Sequence, residues 1–267
     1  MIAIPTSPLA HVAFDLAGWL AGVALSVVLY RWRLKPLAQR IAGRIDGGYF
    51  VALVLGALPG AWVAGSMNSL RGPDPALSHS VVGALVGAIA AIEIYKAFRG
   101  IRRSTGGVFT GPFAAGVVIG RLGCFFAGKA DGTYGVATRL PWGVDLGDHV
   151  SRHPVQLYES LSMAVFLTAY IVGLARRDDW AMRRGFYALC MAYGAQRFAW
   201  EFLKPYPKLI GPFNLFHVLC AGLVAYGWIY DRRERAQGGA VSVPGPDHQP
   251  VRGLPGPGSG QDHRRGQ

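Results

Sequence analysis

The stretch GRLGCFFAGKADGTYGVATRLPWGVDLGDHVSRHPVQLYE, Gly120 to Glu159, joins two apolar segments through a polar loop. It leaves the first segment beside Arg121, crosses a loop containing Gly128, Gly132 and Gly135, and enters the second segment through Arg152-His153-Pro154. An apolar run that stops at a polar loop and resumes after it reads as two membrane helices opening on one face of the bilayer. A charged residue at the centre of such a helix costs about 2.5–3.5 kcal/mol on insertion scales, so an arginine kept at a helix end beside a polar loop is a candidate for function.

The rest of the chain extends this pattern. Of 267 residues, 51% are hydrophobic and 16% charged, and the mean hydropathy is positive, which excludes an ordinary soluble domain. The segment before the first apolar run, Met1 to Ala13, holds no Lys or Arg, so it lacks the basic region of a cleaved signal peptide and reads as the lead-in to a retained span. Cys124, Cys190 and Cys220 lie in or beside apolar segments without C-x-x-C spacing, and neither a disulfide framework nor a metal site follows from them.

Windows of roughly 20 residues, enough to cross the hydrocarbon core, fall at about Leu16–Tyr30, Tyr49–Met67, Ser80–Phe98, Val108–Phe126, Val155–Ala175, Gly185–Leu203 and Phe213–Tyr230. The expected architecture is an all-α integral membrane protein of seven transmembrane helices with a small extracytoplasmic loop region. The bundle is expected over residues 1–236, with its polar outer loop at 127–153. Residues 237–267, rich in Gly, Pro and Ser, cannot bury a core and are expected to be a disordered cytoplasmic tail.

Orientation follows from basic residues. The flanks after the first, third, fifth and seventh spans hold 16 Lys and Arg against 6 on the other side. That asymmetry predicts an outer N-terminus, an outer Arg121–His153 loop and a cytoplasmic C-terminus. The net charge of +12 then reflects topology and anionic headgroups rather than a nucleic-acid partner. Glycine pairs four apart at Gly18/Gly22, Gly56/Gly60, Gly83/Gly87 and Gly116/Gly120 predict close helix packing.

Two arginines, Arg121 and Arg197, lie within spans near the outer side. A guanidinium matches phosphate oxygens bidentately and gains strength in low dielectric. Glu201, four residues after Arg197 on the same helical face, can neutralise it. His153 precedes Pro154 and is expected at the cap of the next helix, with Gln156, Tyr158 and Glu159 in its first turns. His79 opens the third span on the same face. An imidazole is the side chain best suited to take a proton at neutral pH, and either histidine suits the role. Glycines around Lys129 and Asp131 allow backbone N–H groups to approach an anion. Trp142 reads as an interfacial anchor, and Glu93 with Lys96 as a structural pair.

The order GRLG-x-F-x-x-G at Gly120–Gly128, RHP-x-QLYE at Arg152–Glu159 and YGA-x-RF-x-x-EF at Tyr193–Phe202 resembles the prolipoprotein diacylglyceryl transferase family, over about His79 to Tyr230. The resemblance implies a bacterial cytoplasmic-membrane enzyme. Its reaction moves the diacylglyceryl group of phosphatidylglycerol to the lipobox cysteine thiol of a prolipoprotein, and it uses no cofactor or metal. It implies phosphate-binding roles for Arg121, Arg197 and the motif glycines Gly123 and Gly128. Glu201 would orient Arg197, and His153 or His79 would handle the proton. The chain departs from the family pattern at Cys124 and Ala127, where family members carry Asn, and at Lys129, where they carry Glu. Asp131 is the candidate for the missing carboxylate.

Two other classes share these features: a non-catalytic or different-donor paralogue that binds lipid or lipoprotein, and a transporter of a small anion. Against the transporter, no inverted repeat is visible and the polar residues cluster at the outer end, not at the midplane. The retention of both histidines and both arginines favours the enzyme.

Overall fold

The computed structural model describes residues 2–71 and 77–239. Among them the chain forms nine α-helices: α1 (Pro8–Leu29), α2 (Lys35–Ala42), α3 (Gly47–Ser69), α4 (Val81–Phe98), α5 (Thr110–Ala127), α6 (Val155–Arg176), α7 (Asp179–Arg183), α8 (Gly185–Glu201) and α9 (Leu215–Gly239). A π-helical turn, Tyr30–Leu34, carries α1 into α2 without a break.

Among the described residues, five helical stretches are long and apolar enough to cross a membrane: Pro8–Gln39, Gly47–Ser69, Val81–Phe98, Gly106–Asp131 and Val155–Arg176. The expected sixth and seventh spans are helical, but they are not as apolar along a full crossing length. Helix α8 has 17 residues and carries Arg197 and Glu201. Helix α9 has 25 residues but ends in the polar run Asp231-Arg232-Arg233-Glu234-Arg235. The structure therefore supports an all-helical membrane protein with five such helices, and the count of seven is not established by them. Helix α9 also continues through Gly239, three residues into the segment expected to be a disordered tail. The remainder of that segment lies outside the described residues.

Polarity is distributed as a membrane requires. Most exposed positions on α1 and α3 are apolar, among them Leu16, Trp19, Leu20, Val51, Leu55 and Leu58, whereas the interior holds Asn68, Arg121, Gln156, Glu159, Arg197 and Glu201. Lipid tails cannot hydrogen-bond, so polar side chains turn inward and find partners there.

The glycine pairs act as expected between α3 and α4. Added to Gly56 or Gly60, a Cβ would run into the backbone of Gly87 or Gly83, and the reverse holds for Gly83 and Gly87. The two backbones touch where any larger residue would separate them. On α1, Gly18 and Gly22 face the carbonyls of Gly116 and Pro112 of α5 at ordinary contact distance. The main core gathers Ala64, Val82, Leu85, Val117, Met163 and Tyr193 from α3, α4, α5, α6 and α8. At the end of α4, Lys96 pairs with Glu93 at 2.8 Å, and Tyr226 of α9 donates to the same carboxylate at 2.9 Å. The pair is a strut between helices.

The polar loop holds a small sheet that the hydropathy pattern does not reveal. Strand β1 (Ile2–Ala3) runs parallel to β2 (Val144–Asp145), which pairs antiparallel with β3 (Ser151–Arg152). The turn between β2 and β3 is organised by Asp145, whose Oδ1 accepts the backbone N–H groups of Gly147, Asp148 and His149 at 2.9, 3.1 and 2.9 Å. These bonds, that from Gly147 foremost, hold its carboxyl below the usual range. Asp148 is gripped by Arg152 (Nη2–Oδ2 2.7 Å) and by Lys129 (3.2 Å), and the Arg152 hydrogen bond lowers its pKa to about 2. The loop is thus tied to the end of α5 by charge.

Candidate active site

Helices α5, α6 and α8 bring together Arg121, Glu159, Arg197 and Glu201, and the turn after α8 adds Lys204; all five are buried. Glu159 is the hub. Its Oε2 lies 2.5 Å from Arg121 Nε, both of its oxygens accept Arg197 Nη1 at 2.8 Å, and Lys204 Nζ donates to Oε1 at 2.5 Å. Arg197 Nε forms an ion pair with Glu201 Oε2 at 3.3 Å that lacks hydrogen-bond alignment. Lys204 stands 3.8 Å from the same oxygen. Asn214 donates Nδ2 to Glu201 Oε1 at 3.2 Å, while its Oδ1 accepts the backbone N–H of His217 at 3.1 Å, which caps the start of α9.

Taking ions out of water costs several kcal/mol each unless partners compensate. Three cations here face two carboxylates, so the cluster keeps one formal positive charge after internal pairing. On the same two helices as Glu159 and Arg197, the side-chain amides of Gln156 and Gln196 and the hydroxyl of Tyr193 are buried with no hydrogen-bond partner. A surplus buried cation flanked by polar groups can be neutralised by an anion.

The expected residues divide into groups. Arg121, Arg197 and Glu201 lie in one cluster. Glu159 and Lys204 complete the cluster; neither is among the residues that the sequence reading assigns to the site, and Lys204 lies in the turn three residues beyond Glu201, the last residue of α8. Asp131 does not supply the carboxylate opposite Arg121: Glu159 does, while Asp131 faces His11 at 2.6 Å and accepts from Thr133. Cys124 Sγ lies 3.8 Å from Arg121 Nη1. Gly123 belongs to the seam between helices, since a Cβ there would meet Phe14 and His11 of α1. Gly128 ends α5 with φ +74°, a conformation that favours glycine, and a Cβ would collide with the Leu146 carbonyl. Lys129 is engaged with Asp148.

His153 is not the helix cap. Pro154 occupies that position with a non-helical ψ of 65°, so α6 begins at Val155 and the histidine lies one residue before the cap. His153 Nδ1 is 3.4 Å from the Tyr158 hydroxyl, which accepts the Trp142 indole N–H at 2.8 Å. Trp142 is therefore tied to α6 as well as exposed. His79 is exposed and lies against Trp62, with ring centroids 5.9 Å apart and the planes tilted by 56°. Among the described residues, neither histidine makes a hydrogen bond or ion pair with the Glu159 cluster.

Fold and site together define a helical membrane protein with a buried, cation-rich site at the end of its bundle. The chain matches the family described as "Prolipoprotein diacylglyceryl transferase" over residues 16–230 and belongs to it. Among proteins named phosphatidylglycerol–prolipoprotein diacylglyceryl transferase, it is 29% identical to that of Solidesulfovibrio magneticus, over 85% of this chain and 86% of the relative. It is 32% identical to that of Methylococcus capsulatus over 54% of this chain and 57% of the relative, and 28% identical to that of Cupriavidus necator over 58% and 60%.

Proposed function

We propose that the chain transfers the diacylglyceryl group of phosphatidylglycerol to the cysteine thiol of a prolipoprotein in the bacterial cytoplasmic membrane. The observation that carries this reading is the buried cluster around Glu159: with Glu201 it sets two carboxylates against Arg121, Arg197 and Lys204 and leaves one positive charge in surplus. Phosphatidylglycerol presents a phosphodiester with a single negative charge, which matches that surplus. Membership of the family supports the donor and the acceptor.

In the reaction the acceptor sulfur attacks the glyceryl carbon bonded to the phosphate oxygen. The C–O bond breaks, its electron pair leaves with glycerol phosphate, and a C–S thioether forms. Charge accumulates on phosphate as the bond breaks. Guanidinium groups already fixed by Glu159 and Glu201 meet that charge without reorganisation, which is the condition for electrostatic stabilisation of a transition state. Gln156 and Gln196 offer free amides to the headgroup. The thiol has a pKa near 8.5 and must lose its proton to attack. His153 is assigned that proton because it leads directly into the helix that carries Gln156 and Glu159.

The excess of basic residues in alternate loops supports an outer N-terminus and a cytoplasmic C-terminus, which puts the Glu159 end of the bundle on the side where secreted preproteins emerge. The test is release of glycerol phosphate by the purified protein from phosphatidylglycerol liposomes. Release that depends on a lipobox peptide supports the reading; release without peptide, with diacylglycerol as the other product, indicates a phospholipase C-type hydrolase, and none indicates a different donor or a binding protein.

A further inference from the structure

His11 of α1, Cys124 of α5 and Asp131 of the turn after α5 meet beside the Arg121 end of the site. One ligand atom from each, an imidazole nitrogen, Sγ and a carboxylate oxygen, lies within 4.8 Å of the other two. We propose that these three side chains bind a divalent metal ion of the zinc class. The site is independent of the transferase reading and stands or falls without it.

The donor set fits first. One nitrogen, one thiolate sulfur and one carboxylate oxygen is a zinc-type combination, with ligand distances of about 2.0–2.3 Å. In tetrahedral geometry those distances put ligand atoms roughly 3–4 Å apart, so small side-chain shifts suffice from the observed spacing. The charge fits next. A thiolate and a carboxylate neutralise a divalent ion. In its absence a single imidazole lies between two carboxylates, Asp131 on Nδ1 at 2.6 Å and Asp15 on Nε2 at 3.1 Å.

The outer partners fit as well. A metal-ligating histidine commonly donates its second nitrogen to a carboxylate, and Asp15 stands at that position. Thr133 Oγ1 donates to the far oxygen of Asp131, and Arg121 Nη1 faces the sulfur at 3.8 Å. The pocket is sheltered: the side chain of Asp131 is 3% exposed and Cys124 is buried, while His11 at 29% leaves an approach from outside. Three protein ligands leave a fourth position for water or an incoming ligand. Cysteine spacing cannot reveal this arrangement, because its histidine lies more than a hundred residues from the other two.

The test uses tag-free, full-length protein in detergent. Elemental analysis of the purified chain is expected to give about one zinc per protein, removable by chelator. Cobalt(II) added alone to the stripped protein is expected to show thiolate-to-metal charge-transfer absorption, which Cys124→Ser abolishes. Asp15→Asn removes no ligand and leaves the packing in place; it is expected to weaken zinc binding by roughly 10–100-fold. Metal at background in wild-type protein together with no cobalt absorption overturns the proposal. So does a Cys124→Ser protein whose cobalt spectrum is unchanged.

Discussion

Arg197 and Glu159, 38 residues apart on α8 and α6, meet so that one guanidinium nitrogen lies 2.8 Å from each carboxylate oxygen. The same carboxylate holds Arg121 and Lys204. Glu159 is therefore a positioning residue, aiming two arginines from different helices at one place. Removing its charge leaves three buried cations facing Glu201 alone, and breaking a buried ion pair from one side costs about 3–5 kcal/mol. Glu159→Gln is expected to lower both the thermal midpoint and the transfer rate, measured on the same detergent preparation.

Arg121 lies within the last two turns of α5, and its removal spares the Arg197 pairs. Arg121→Ala is expected to reduce transfer by roughly 10²–10³-fold, the usual loss of one transition-state donor, with far-ultraviolet circular dichroism unchanged. Arg121→Lys is expected to restore little, because a point charge cannot hold Glu159 through Nε and face a phosphate at once. Full activity in the lysine variant would remove the bidentate argument.

His153 precedes the cap of α6 and its side chain makes no cap bond. His153→Asn is expected to leave the melting temperature unchanged while lowering the maximal rate. A matched His79→Asn variant decides which histidine handles the proton, since His79 touches only Trp62 among the aromatic contacts described for it.

The Asp148 clamp makes a pH prediction for the loop. Its folded pKa, about 2, lies below the unfolded value of about 3.8, so the ionised clamp stabilises the fold above pH 4. That contribution is lost as pH falls from about 4 through 2. Trp142 fluorescence is expected to stay flat from neutral pH to about 4 and change below it. In Asp148→Asn this acid-dependent component disappears.

Gly56→Ala places a methyl group against the Gly87 carbonyl, whereas a Cβ at Gly116 meets nothing within 4 Å. Overpacking of this kind costs about 1–3 kcal/mol. Gly56→Ala is expected to lower the midpoint of thermal unfolding, and Gly116→Ala to leave it unchanged or raise it.

Much of this arrangement is legible in the sequence because it is local. The Arg197–Glu201 pair follows from a spacing of four on one helix, the α3–α4 contact from glycines four apart, and the long apolar helices from hydropathy. Glu159 was visible only as a polar residue in the first turns of α6, since its partners come from α5, α8 and the following turn, and no spacing joins them. The three strands of the loop have two residues each, too short for an alternating pattern. Pro154 shows why His153 was misplaced by one position: a proline signals the first turn of a helix without distinguishing cap from first residue.

The most direct measurement is the mass of a lipobox peptide after incubation with the purified protein in phosphatidylglycerol liposomes. The peptide is expected to gain one diacylglyceryl group on its cysteine sulfur, resistant to thioester cleavage and absent with Arg121→Ala. A peptide left unmodified by wild-type protein that still binds the lipid would contradict the transfer and leave the buried cluster as a binding site alone.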